Sequence, residues 1–316
     1  MRFRGIVVVI GVLAAALTLL LGSGGGIARA DLPVTYNFLG GIPDELAHPG
    51  GSLPGSNDFG CKPSPAHPEP VVLVHGTGGS QQTNWGTYVP LLKNQGYCVF
   101  ALTYGAIDGA PWPVSAVGGM KPVESSAAQL ATYVDKVLAA TGARKVDIVG
   151  HSQGTVMPDY YAKFLGGANK IDKYVSLAPL WQGSNVGGAA VLMPLLRGLG
   201  LTDAQFPLCQ ACAQLDPTSP VLTKLRAGGV YLPNITYTNI STRYDELVVP
   251  YTSGQLPGGA NVHNIVVQQG CSVDYTEHAG LAGSRRAAYF VLNALDPAHP
   301  KPVPCDRAAP FTGSAF

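Results

Sequence analysis

Charged residues are scarce. Only 12% of the 316 residues are Asp, Glu, Lys or Arg, and the 20 basic and 19 acidic side chains almost cancel. A chain this poor in charge and 46% hydrophobic carries too little field to hold a polyanion and too much apolar surface to stay unfolded. Nucleic-acid binding and intrinsic disorder are therefore excluded as functions. Beyond Leu21 there is also no apolar run long enough to span a bilayer. Nor is there an odd cysteine, since Cys61, Cys98, Cys209, Cys212, Cys271 and Cys305 form an even set. Length alone would allow two domains, but one α/β domain accounts for it.

What is present begins with an address. Arg2 and Arg4 precede the apolar run Ile6 to Leu21, and a glycine-rich stretch leads to Ala28-Arg29-Ala30 before Asp31. That is the layout of an export signal, residues 1–30, cleaved after Ala30. The competing reading is an uncleaved anchor, because the run is at the short end of spanning length. Cleavage would take the formal charge from +1 to about −2. In an exported chain the cysteines read as three disulfides. Cys61 with Cys98, Cys209 with Cys212 and Cys271 with Cys305 are favoured, because each pair then lies within one local region. Cys209-Gln-Ala-Cys212 also has the spacing of a redox pair or half a zinc site. No second close pair or His cluster accompanies it, and the strand context of a redox motif is missing, so a structural staple is expected.

The chain is organised around Val146-Asp-Ile-Val-Gly-His-Ser-Gln-Gly154. A short buried strand runs into Gly-His-Ser-Gln-Gly and then into a helix-compatible stretch, Val156 to Leu165. A serine on such a strand-to-helix turn projects its hydroxyl at the carboxyl edge of a sheet. Gly150 and Gly154 fit a place where any side chain would clash. Upstream, Pro70 to Gly79 reads as a strand ending in a glycine-rich turn, Val-His-Gly-Thr-Gly-Gly. Backbone N–H groups in such a turn face a cavity, which makes it a candidate oxyanion loop.

Other elements follow from periodicity. Residues 31–70 are rich in Gly and Pro and are expected to wrap the surface, with His48 and His67 exposed. A helix is expected over Trp85–Gln95 and a strand over Tyr97–Leu102. Glu124–Thr141 has the spacing of an amphipathic helix, with Ser126 and Gln129 as a capping box and Gly142 as its end. Strands are expected at Tyr174–Ala178, Ile235–Ser241 and Asn261–Gln268, the last opened by His263. Strands alternating with helices predict an α/β fold, a mostly parallel sheet covered on both faces. Between about Gly183 and Gly229 the pattern breaks into an apolar insert with Val191, Leu192, Leu195, Leu196, Leu199, Leu201 and Phe206, expected to form a cap over the site.

Hydrolases with this serine turn place their acid and then their histidine after it. Asp245 follows the strand ending at Ser241, and His278 follows the last strand, at the expected start of a helix running to Leu295. Glu246 and Asp274 are nearby alternatives to Asp245. His75 and His151 read as structural neighbours of the motifs, and His299 as a tail residue. A serine hydroxyl is a poor nucleophile until a neutral imidazole accepts its proton, so His278 is the expected base, with Asp245 fixing its tautomer. Backbone N–H groups of Thr77 and Gln153 would meet the oxyanion.

With these residues in place, the chain resembles the secreted lipases of the α/β-hydrolase superfamily, in particular the small actinobacterial class 2 type and the fungal lipase B type. The likeness runs from about Val71 to Leu295. Gly76-Thr-Gly78 is similar to the family's oxyanion turn, where a threonine gives its N–H and its hydroxyl, and Ser152-Gln-Gly154 to its nucleophile. Asp245-Glu-Leu-Val-Val-Pro250 is similar to its acid loop, and His278-Ala-Gly280 to its histidine. Two of the favoured disulfides, Cys61–Cys98 and Cys271–Cys305, are also similar to the family's; Cys209-Gln-Ala-Cys212 is extra. The resemblance implies an α/β-hydrolase domain over residues 31–316 and a secreted serine ester hydrolase, a triacylglycerol lipase or carboxylesterase. No cofactor or metal is expected, and the expected partner is a lipid or ester substrate at a lipid–water interface. The alternatives are a cutinase-like polyesterase or an acyltransferase, and, in another class, a non-catalytic binding protein on the same fold.

Overall fold

Six parallel strands form one sheet in the order β2-β1-β3-β4-β5-β6. They are β1 Val71–Val74, β2 Val99–Leu102, β3 Val146–His151, β4 Ile171–Leu177, β5 Thr236–Ser241 and β6 Val262–Val266. The computed structural model describes residues 30–185, 197, 198, 200 and 209–313. The expected signal segment and the insert residues Val191, Leu192, Leu195, Leu196, Leu199, Leu201 and Phe206 lie outside the described residues. Every residue of β1, β2 and β3 is buried, which is why β1 and β2 are continuous apolar runs and not alternating ones, while β3 also buries the polar Asp147 and His151. β6 lies at an edge and is only partly covered.

The helices with described bounds are α1 Ile42–Ala47, α2 Tyr88–Asn94, α3 Val123–Thr141, α4 Met157–Phe164, α5 Gln210–Gln214, α6 Pro220–Arg226 and α7 Arg285–Leu295. None of the described helices is long and apolar enough to cross a membrane. α3 ends as expected, on Gly142 in the left-handed region at φ 79°. Its start differs. The Ser126 hydroxyl has no hydrogen-bond partner, and Gln129 Oε1 accepts from Gly105 N–H at 2.8 Å, so there is no capping box. Val123 N–H donates instead to Gln214 Oε1 at 2.7 Å, a cap supplied by a distant helix. α7 likewise does not begin at His278. It starts at Arg285 behind a Ser284 cap, and a short 3-10 turn, Gly280–Ala282, stands between.

The three favoured disulfides, Cys61–Cys98, Cys209–Cys212 and Cys271–Cys305, all form. His48 is exposed, but His67 is not free in solvent; it is half-buried and stacks on Tyr97 with ring centroids 3.9 Å apart. The stretch 31–70 wraps the surface and also holds helical turns, Phe38–Gly41 and α1.

Register decides where the loops meet. Val74 stands opposite Gly150, His151 opposite Leu177, Leu177 opposite Ile240, and Ser241 opposite Val266. Strands aligned at one edge release their following loops side by side. Gly76–Gly79, Ser152, Asp245 and His278 all belong to such loops.

Candidate active site

Ser152 leaves β3 in a strained conformation, φ 55°, a region that a residue with a side chain seldom adopts. The strain is enforced by crowding. A Cβ at Gly150 would lie 2.2 Å from the Gly154 carbonyl oxygen, and one at Gly154 would lie 2.0 Å from that of Val74. Both glycines are thus required by close approach of strand, turn and neighbouring strand, as their position in the motif implied. The turn delivers the serine hydroxyl to the floor of a cavity of ≈ 720 Å³.

Ser152 Oγ is 2.8 Å from His278 Nε2, and His278 Nδ1 is 2.9 Å from Asp245 Oδ1. A carboxylate can only accept, so Nδ1 carries the proton facing Asp245, and in the neutral ring that tautomer leaves the Nε2 lone pair facing the serine hydroxyl. All three side chains are buried. Asp245 Oδ1 also accepts from the N–H groups of Leu247 at 3.0 Å and Val248 at 2.7 Å, which fix the direction in which the carboxylate points.

The two acidic alternatives do other things. Glu246 Oε2 accepts from the His278 backbone N–H at 3.3 Å, and Asp274 Oδ1 from Thr276 N–H at 2.8 Å. One steadies the histidine's main chain and the other shapes its loop; neither reaches the ring.

Thr77 lines the cavity with Ser152. Its hydroxyl donates to Gln153 Oε1 at 2.6 Å, so in this state that proton is committed to the glutamine and not directed at the cavity. The turn carrying Thr77 is clamped by a loop that the sequence reading passed over. Gly78 N–H donates to Gly118 O and Gly118 N–H to Gly79 O, both at 2.9 Å. A Cβ at Gly119 would lie 2.8 Å from Gln153 Oε1 and 3.2 Å from Thr77 Cα. Adjacent glycines before a helix were the available signal for this close approach.

The neighbouring histidines are structural in their contacts. His75 Nδ1 donates to Gly76 O at 2.7 Å, and its Nε2 accepts from Tyr104 N–H at 3.2 Å. Burial lowers its pKa to about 4. His151 Nε2 lies 2.9 Å from His278 O, where it can only donate. Burial, with the nearby His278 as a smaller cause, lowers the His151 pKa to about 3. Asn84 completes this group, its Oδ1 3.1 Å from His151 Nδ1 and 3.3 Å from Gly76 N. Nothing in the sequence marked Asn84.

The cavity walls come from several segments: Phe38 and Ile42 from the N-terminal wrap, Leu180 after β4, Cys212 and Leu215 from α5 and its end, and Leu247 beside Asp245. An apolar space meeting a few convergent polar groups is the ordinary form of a small-molecule site. A hydroxyl next to an imidazole nitrogen, a carboxylate behind the imidazole and an N–H-bearing turn beside the hydroxyl are the parts that acyl transfer requires.

A family model described as Lipase (class 2) matches residues 68–285. Triacylglycerol lipases of Pseudarthrobacter phenanthrenivorans and Burkholderia plantarii are each 33% identical over 98 residues, 29% of this chain and respectively 28% and 25% of theirs. The chain therefore spans about a quarter of the length of these curated relatives. Among solved structures, Aspergillus fumigatus lipase B superposes with a TM-score of 0.55 at 16% identity, over 80% of this chain and 57% of that one. The mature form of a Bacillus licheniformis lipase gives 0.51 at 15% identity, over 74% and 94%. At such identities the superpositions speak for the fold, that of the α/β-hydrolases.

Proposed function

The chain belongs to the class 2 lipase family, and from that premise we propose that it is an exported serine hydrolase of lipid carboxylic esters, acylglycerols foremost. The observation that carries the reading is the unbroken hydrogen-bonded run Asp245–His278–Ser152 at the floor of an apolar cavity. In this reading Ser152 Oγ attacks the ester carbonyl carbon while His278 Nε2 takes its proton. Asp245 keeps the ring in the required tautomer and stabilises the imidazolium. The oxyanion of the tetrahedral intermediate meets the N–H groups of Thr77 and Gln153. Collapse expels the alcohol, which takes the proton from His278 and leaves an acyl ester on Ser152. Water, activated by the same histidine, then releases the acid.

The preference for lipid esters is supported by the rim as well as the cavity. Ile42 and Leu247 line the cavity and are each more than a third exposed, at 38% and 37%. Leu46 continues the exposed side of α1, Val249 lies two residues past Leu247, and both are more open still. Exposed apolar side chains bordering a site suit contact with an aggregated lipid. Export is supported by three disulfides and no free cysteine among the described residues, together with the signal-like layout of residues 1–30.

A panel of p-nitrophenyl esters and emulsified acylglycerols, run with and without an alcohol acceptor, tests the reading together with fluorophosphonate labelling of Ser152. Labelling with turnover on long-chain esters is expected. Absence of label on folded protein would return the chain to a binding role, and product passing mainly to the alcohol would make it an acyltransferase.

A further inference from the structure

Cys209-Gln-Ala-Cys212 has no part in the proposed reaction, yet it borders the site. Cys212 and Leu215 belong to the wall of the cavity that holds Ser152. α5 rests on the segment just before α3: Ala211 N–H donates to Met120 O at 3.3 Å, and Gln214 bridges Val123 N–H at 2.7 Å and Glu124 Oε2 at 2.9 Å. Met120 directly follows Gly118-Gly119, whose backbone clamps the turn of Thr77. One continuous run of contacts thus joins the disulfide, the cavity wall and the oxyanion turn.

The three disulfides differ in access. Cys305 is exposed and Cys61 half-buried, but their partners Cys271 and Cys98 are 2% and 1% exposed, so each of those disulfides has one sulfur sealed in the protein. Cys209 is half-buried and Cys212 is exposed. Exchange needs a thiolate to reach one sulfur and the other to leave as a thiolate, so access favours Cys209–Cys212, the pair in which neither cysteine is sealed. Its loop is also short, a separation of 3 residues against 37 and 34. Because the constraint a disulfide puts on the unfolded chain grows with loop length, opening this pair costs the whole fold least. What it holds is local. α5 has five residues, too few to be stable unaided, and the Cys212 N–H that starts it is accepted by Cys209 Sγ at 3.2 Å.

We propose that Cys209–Cys212 is a thiol–disulfide exchange site for small dithiols, and that its redox state sets the acyl-chain wall of the cavity; the second half rests on the ester-hydrolase reading. A thiolate of the dithiol attacks Cys212 Sγ, breaks the S–S bond and expels the Cys209 thiolate. The dithiol's second thiolate attacks the mixed disulfide and expels the Cys212 thiolate. The reductant leaves as a cyclic disulfide, two electrons have passed to the protein, and the two protons of the dithiol end on the cysteines. Without the tether, α5 loosens, and a long acyl chain loses contacts at Cys212 and Leu215 that a short chain uses less.

The test treats the full chain with dithiothreitol under native conditions, traps thiols with iodoacetamide and locates them by peptide mass spectrometry. In parallel it measures kcat/KM on butyrate and dodecanoate p-nitrophenyl esters. Cys209 and Cys212 should be alkylated while the other four cysteines stay paired. Dodecanoate turnover should fall about fivefold, the value of one to two buried methylenes, with a smaller change on butyrate and recovery on reoxidation. The Cys209→Ser/Cys212→Ser variant should carry the reduced-state kinetics and ignore the dithiol. Opening of another disulfide first overturns the exchange site, and equal kinetics in both redox states overturns its control of the cavity wall. Fluorophosphonate labelling of Ser152 separates the two readings. Label retained with no redox effect defeats only the wall proposal, whereas label absent in both states defeats the hydrolase reading and leaves the exchange site to stand or fall on the alkylation pattern.

Discussion

The two ends of strand β3 each bury a carboxylate system, and they are built to opposite purposes. At the amino end Asp147 is 1% exposed, and Oδ1 accepts from Lys173 N–H at 3.0 Å while Oδ2 faces Lys173 Nζ at 3.4 Å. The same ammonium reaches Asp172 at 3.1 Å and Glu69 at 4.0 Å. Burial outweighs these partners and raises the Asp147 pKa to about 7. At the carboxyl end Asp245 meets two N–H groups and an imidazole whose other nitrogen touches a serine on a cavity floor. A shifted carboxylate is therefore a poor marker of chemistry by itself. What separates the two ends is a serine hydroxyl, an imidazole nitrogen facing it, and an open cavity beside them.

The comparison breaks most sharply at the serine. Ser152→Ala should lower kcat on esters by about six orders of magnitude with circular dichroism and Tm close to wild type. Substantial residual turnover by purified variant would remove the serine from the proposal. Next come the matched carboxylates. Asp245→Asn should lower kcat by about four orders of magnitude, because the amide favours the wrong imidazole tautomer. Asp147→Asn, at the far end of the strand, should change kcat by no more than about twofold. Steady-state kinetics on one ester decide between them, and comparable losses would mean that the two ends are not functionally distinct.

A third measurement concerns the oxyanion turn. Thr77→Val should lower kcat about a hundredfold with little change in KM if the hydroxyl turns from Gln153 to the oxyanion in the transition state. An unchanged kcat would leave Thr77 with a backbone role alone, its hydroxyl serving only to hold Gln153.

The smallest expected effect is on stability. Asp159 in α4 is buried, neither of its carboxylate oxygens has a hydrogen-bond partner, and burial raises its pKa from 3.8 to about 8 despite nearby Lys163. Between those values the folded state keeps a proton that the unfolded chain has released, so stability from this group is lost as pH rises toward 8. Calorimetry at about pH 5 and about pH 9 should show a smaller fall in Tm for Asp159→Asn than for wild type. An identical pH dependence would mean that the carboxyl is not held neutral.

Much of this was legible in the chain itself. Continuous apolar runs mark fully buried parallel strands, and Gly150 and Gly154 mark a crowding that the backbone distances bear out. The placement of Asp245 and His278 after successive strands needed only the order of elements. The disulfide pairs followed from proximity in sequence. These are local or ordinal properties, and each is written within a few residues.

Other features arose only when distant segments met. The start of α3 is capped by Gln214, 91 residues away, so no capping box at Ser126 was needed and none formed. His278 is held by a loop turn because its backbone answers to Glu246 and His151, not to a helix ladder. The clamp of Gly118 on Gly78 and Gly79, the contacts of Asn84 with His151 and Gly76, and the cavity walls from Phe38, Ile42 and Cys212 join residues far apart in the chain. Sequence determined which strands are buried and which side chains stand at their carboxyl ends. Tertiary structure decided which of those side chains meet and what encloses them, because a hydrogen bond or a packed wall depends on both partners' positions in space, and periodicity reports only one partner at a time.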